Sequence, residues 1–126
     1  MKIVDRKTFI AMPPGTVFSK YEPCVFGDLL IKGDSLPNDF CYQQIADAID
    51  CSGSGDYEDK LFLSQETGSS LEMDFDCQGR DGCFDEGQLF AVWERGDVKA
   101  LILRFQQAVE DSAPPAPPAD QWSPEH

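Results

Sequence analysis

At 126 residues the chain is long enough for one domain of ordinary size, and a hydrophobic fraction of 41% allows a packed core. Its formal net charge is −13, and residues 34–86 hold nearly all of the imbalance, with fourteen acids against only Lys60 and Arg80. That balance argues against direct contact with DNA or RNA, which needs Lys and Arg to neutralise phosphates, and against an anionic membrane surface.

In chain order, Asp5 is placed to cap a short helix through RKTFIAM, which Pro13 and Pro14 close. TVFSKY has the β-branched and aromatic bias of a strand, and LLIKGD is expected to pair with it through the turn near Pro23 to Gly27. FCYQQIADAID, residues 40–50, opens on aromatics and is read as a long strand that frays near Asp47. CSGSGD marks a loop, with Ser54 or Asp56 as the cap of a helix through YEDKLFLSQET that Gly68 ends. LEMDF alternates Leu71, Met73 and Phe75 against Glu72 and Asp74, the pattern of a half-buried strand. QLFAVWE is the most strand-like run of the chain. DVKALILRFQQAV is its clearest helix, capped by Asp97 and striped by Val98, Leu101, Ile102, Phe105 and Val109.

The order α-β-β-β-α-β-β-α predicts an α+β fold: a mostly antiparallel sheet with two or three helices, the C-terminal amphipathic helix packed on the sheet. Residues 1–111 read as a single globular domain. Residues 112–126, SAPPAPPADQWSPEH, read as a Pro-rich disordered tail in which Trp122 is the one residue suited to docking.

No catalytic residue is assigned. The only histidine is His126, so the body of the chain has no Ser-His or Cys-His pair, and it contains no G-x-S-x-G, P-loop or G-x-G-x-x-G. The NH groups of CSGSGD are suited to an anion, but the surrounding acids repel phosphate, and the segment reads as the lead-in to a helix. No cofactor is expected. Cys24, Cys41, Cys51, Cys77 and Cys83 contain no C-x-x-C, and Cys77 with Cys83 is the only local pair, so free thiols are expected and a zinc site is not.

The stretch DFDCQGRDGCFDE, residues 74–86, approaches the calcium-loop pattern. Asp74, Asp76, Gly79 and Asp85 match its first, third, sixth and twelfth positions, but Gln78 stands where a third ligand belongs and the preceding element reads as a strand. The expected structure is an acidic turn with no metal, in which Arg80 pairs with Asp81 or Asp85. Its glycine-flanked tip, GRDG, suits presentation to a partner, which makes Asp74, Asp76, Arg80, Asp81, Asp85 and Glu86 the candidate partner-binding residues.

MKIVDRKTFIAMPPGTVFSKYEPCVFG, together with DFDCQGRDGCFDEGQLFAVWE and the last helix, resembles small accessory proteins of tailed bacteriophages and prophages. The resemblance covers most of residues 1–110. It implies a setting, the cytosol of a bacterial host, and transfers no activity or residue role. A cytoplasmic location also fits the sequence: no apolar run nears the roughly 20 residues of a membrane span, or the about 7–15 of a secretory signal. The expected function is a non-enzymatic, acidic protein-binding module. Such a module suits a phage-encoded inhibitor that occupies a basic, nucleic-acid-binding surface of a host protein. The rival expectations are a structural or assembly protein of the particle, and a small-molecule binder.

Overall fold

A computed structural model describes residues 1–114. Most of the Pro-rich segment, with Trp122 and His126, lies outside the described residues. The fold is α+β, with a seven-stranded sheet, antiparallel at every pairing, and three helices among the described residues. By its contacts the chain divides into two compact units, Met1–Glu94 and Arg95–His126.

In the first unit, β1 (Lys2–Val4) leads into α1 (Arg6–Ile10). Asp5 caps that helix, accepting from the Thr8 backbone N–H at 2.8 Å. The strands β2 (Val17–Glu22) and β3 (Val25–Phe26) form a tight hairpin, and β4 (Leu30–Leu36) then returns along β2. A two-residue turn, with Asn38 in the left-handed region (φ 54°), leads to β5 (Asp39–Gln43). An excursion carrying α2 (Ser54–Thr67) follows, then β6 (Gln78–Arg80) and β7 (Leu89–Trp93). The strand order is β1-β7-β2-β4-β5-β6, with β3 attached to β2.

One face of this sheet is closed by α1 through aromatic packing. Phe9 is fully buried and stacks on Phe90 at 4.1 Å between ring centroids, with Phe18 at 4.6 Å and Phe40 edge-on at 5.0 Å. Leu30 and Val92 complete the cluster. Each buried ring contributes about 1.5–3 kcal/mol by leaving water, so the four rings of this cluster dominate the stability of the unit.

Several elements differ from the sequence reading. The strand expected over residues 40–50 ends at Gln43, where its ladder with β6 also ends. LEMDF forms no strand; Met73 makes a single bridge to Ile49. Three strands were not expected. Val25–Phe26 lies inside the expected turn and pairs with β2. Lys2–Val4 pairs with β7, and Gln78–Arg80 pairs with β5 inside the acidic stretch. The first helix stops at Ile10, two residues short of the expected end.

In the second unit, α3 (Arg95–Asp111) is the described element. None of its residues is buried; Val98 and Leu101 are half-buried, while Ile102, Phe105 and Val109 are exposed.

Candidate functional site

The stretch at residues 74–86 is a strand flanked by turns that its own acids stabilise. Asp74 accepts from the Asp76 N–H at 3.0 Å, and Asp85 accepts from the Gly87 N–H at 3.0 Å. Between them, β6 pairs with β5, and the Asp81 N–H donates to the Phe40 carbonyl at 3.0 Å. Gly82 (φ 65°) and Phe84 (φ 54°) then turn the chain back toward β7, the latter in a conformation that costs a bulky residue about 1–2 kcal/mol. Among the described residues no three Cys, His, Asp or Glu side chains gather as a metal site.

Asp81 and Arg80 are engaged in a buried charge network that joins four elements. Asp39, at the start of β5, is fully buried and bonds the Arg80 guanidinium and the Gly82 N–H, the latter at 3.1 Å. Arg80 therefore pairs with Asp39, not with Asp81 or Asp85. Arg6, 3% exposed, lies 4.0 Å from Asp39 and 3.7 Å from Asp81, and donates to the Asn38 carbonyl at 2.8 Å. Lys20 completes the set with a 2.6 Å bond to Asp81. Burial pushes the Asp39 carboxyl up, but the Arg80 guanidinium and two backbone N–H groups outweigh it and hold it below the usual 3.8. Burial lowers the Lys20 ammonium, and the Asp81 carboxylate more than restores it, so it titrates above 10.5. Glu86, at the surface, accepts from the Asn38 side chain at 3.1 Å.

A second buried cation lies against Phe9 of α1. Lys32 is 1% exposed and donates to the Gly33 carbonyl at 3.1 Å and to Ser35 Oγ at 2.7 Å. Its ammonium sits 5.9 Å from the centre of the Phe9 ring and forms no ion pair among the described residues. Burial accordingly lowers its pKa from 10.5. The bulge between Lys32 and Ser35 in the β4–β5 ladder gives this amine its two oxygen partners.

The remaining charge lies mostly on the excursion between β5 and β6, residues 44–77, with nine carboxylates against Lys60 alone. Its helix is pinned by polar contacts. Lys60 donates to the Asp50 carbonyl at 2.6 Å and pairs with Asp56 at 3.4 Å. Asp56 accepts from the Ser52 N–H at 2.9 Å, which with Lys60 holds its carboxyl below 3.8. Gly68, left-handed at φ 71°, closes the last turn. No residue of α2 is buried, and Phe62 and Leu63 are 59% and 55% exposed. Met73 and Phe75, further along the excursion, are also exposed. A recess of about 270 Å³ beside α2 is lined by Lys60, Leu63, Ser69, Ser70, Leu71 and Glu72. It is slightly smaller than the roughly 300–1,000 Å³ usual for a small-molecule site.

All five cysteines are free thiols; Cys24, Cys77 and Cys83 are exposed, and Cys41 and Cys51 are half-buried. Sequence reasoning placed the candidate residues on 74–86 and missed Arg6, Lys20, Asp39, Phe62 and Leu63. For the first three no signal existed, because strand pairing brings them together. For Phe62 and Leu63 the sequence shows two large apolar residues beside acids, but not whether another part of the chain covers them. No helix among the described residues is long and apolar enough to cross a membrane. No family model, no curated protein and no solved structure matches the chain.

Proposed function

We propose that the protein is a non-enzymatic, acidic binding module that engages a basic surface on another protein. In the setting that the phage resemblance implies, the partner is a host protein whose basic surface otherwise holds nucleic acid. The observation that carries this reading is how the carboxylates divide. Of the fourteen acids in residues 34–86, Asp39, Asp56 and Asp81 form ion pairs, and the other eleven form none among the described residues. The nearby bases, Arg6, Lys20, Lys60 and Arg80, are spent on those three.

A surface left with so many unneutralised carboxylates favours a partner that supplies Lys and Arg. Duplex DNA carries about one charge per 1.7 Å, and clustered carboxylates offer such a partner a comparable field. Complementary charge of this kind raises the association rate and sets orientation. Exposed Phe62, Leu63, Met73 and Phe75 on the same excursion supply the apolar contacts that charge alone does not.

The test is affinity capture from bacterial cytosol at low and high salt, followed by competition among the retained protein, labelled DNA or RNA, and this chain. The expected result is a basic protein that salt releases and that loses nucleic acid in proportion to occupancy. A retained partner that holds both at once would eliminate the nucleic-acid-replacing reading. Retention indifferent to salt would eliminate the electrostatic one.

A further inference from the structure

We infer that the contact face of this module is the outer side of α2, where Phe62 and Leu63 stand among Glu58, Asp59 and Glu66, and that its occupant is an amphipathic, Lys- and Arg-bearing helix of the partner protein. The inference rests on the binding-module reading and names the surface and the chemistry that fits it.

Residues three and four apart on a helix are neighbours, so positions 58, 59, 62, 63 and 66 share one side of α2. All five are exposed. A helix of 14 residues is marginal alone in water, and most helices of that length gain stability by burying an apolar stripe. This one buries no residue fully. Tyr57, Lys60, Leu61 and Ser64 are half-buried on one side, which Lys60, Asp56 and the bond from Ser64 Oγ to the Ser69 carbonyl at 2.7 Å help to hold, and Phe62 and Leu63 on the other side are left over for another surface.

The choice of occupant follows from charge. Glu58, Asp59 and Glu66 form no hydrogen bond or ion pair among the described residues, unlike Asp56 on the same helix, which Lys60 neutralises. A docking segment must therefore bring apolar side chains to Phe62 and Leu63 and cations to either side of them. That is the pattern of a basic amphipathic helix. The recess beside Leu63, with Leu71 in its wall and Glu72 at its rim, offers a place for one inserted apolar side chain. The loop at residues 80–86 is the poorer contact, because Arg80 and Asp81 are already bound internally.

The experiment uses the full chain, isotopically labelled, and two synthetic helical peptides matched in length and charge, one of leucine and lysine and one of serine and lysine. Amide shifts map the contact, and calorimetry gives the affinity. The expected result is binding of the leucine–lysine peptide, with shifts concentrated at residues 58–66. Replacing both Phe62→Ser and Leu63→Ser should weaken it about tenfold, while Asp85→Lys with Glu86→Lys leaves shifts at 58–66 in place. Both apolar residues are exposed, so an unchanged melting curve will show that the double serine variant still folds. Shifts confined to residues 74–86, or affinity that the serine pair does not change, would overturn the α2 face and leave the binding-module reading standing. Equal affinity for the two peptides would overturn the apolar half of the inference. Binding of neither peptide at low salt would overturn the α2 face, while the capture and competition experiment decides the binding-module reading separately.

Discussion

Asp39 and Asp59 are the same residue type in the same acidic stretch, and they are used in opposite ways. Asp39 is fully buried, bonded by Arg80 and the Gly82 N–H, with Arg6 behind it. Asp59 stands in solvent on α2 with no partner among the described residues. The difference lies in what the fold places opposite each carboxylate. Antiparallel pairing of β5 with β6, and α1 lying alongside, bring three cations to two acids. The excursion between those strands carries one lysine, and Asp50 and Asp56 hold it. Charge in the first region holds the chain together, and most of the charge in the second has no ion-pair partner among the described residues.

The largest expected effect breaks the first region. Asp39→Asn leaves Arg6 and Arg80 without their buried carboxylate and should cost about 3 kcal/mol in urea unfolding, because stranding a buried charge is expensive. The pH dependence has a definite sign. The folded Asp39 pKa lies below the unfolded value, so its contribution is present above pH 3.8 and is lost as pH falls through the folded pKa. The asparagine variant should therefore lose less stability on acidification than the wild type does.

Next in size is Lys32, a buried charge of the opposite kind, with no ion pair among the described residues to repay its burial. Lys32→Met should stabilise the protein by about 1 kcal/mol at neutral pH. Its folded pKa is lowered, so between that value and 10.5 the unfolded chain binds the extra proton, and wild-type stability gains from this group as pH rises. The advantage of the methionine variant should shrink across the same window, which paired melts at neutral and alkaline pH will show.

The smallest effect belongs to the second region. Neutralising Glu58, Asp59 and Glu66 together, as Glu58→Gln, Asp59→Asn and Glu66→Gln, should change unfolding stability by no more than about 0.5 kcal/mol, since no internal partner is lost. A loss as large as that of Asp39→Asn would mean that these acids are structural after all.

Much of the frame was legible in the sequence. The Asp5 cap, the β-branched and aromatic runs of β2 and β7, Gly68 at the end of α2 and the long α3 are local signals, and local physics reads them. The misses are non-local. Gln78–Arg80 has no alternation and contains Gly79, and it is a strand because β5 offers it a ladder. LEMDF alternates well, yet it makes a single bridge, Met73 to Ile49, and no strand. Which aspartate is buried was illegible for the same reason: nothing near Asp39 in the chain marks it, and Arg6 and Arg80 meet it only in the fold. The exposure of Phe62 and Leu63 depended on a negative fact, that no described residue covers this side of α2, which a single helix's sequence does not state.

The most direct test of the division of charge is to titrate the wild type and the Glu58→Gln, Asp59→Asn, Glu66→Gln variant with the leucine–lysine peptide across a range of salt. If the free carboxylates serve recognition, wild-type affinity falls steeply with salt, while the variant binds about tenfold more weakly at low salt and responds less to it. Equal affinity and an equal salt response in the two proteins would contradict that claim and return the acids of α2 to the role of solubility alone.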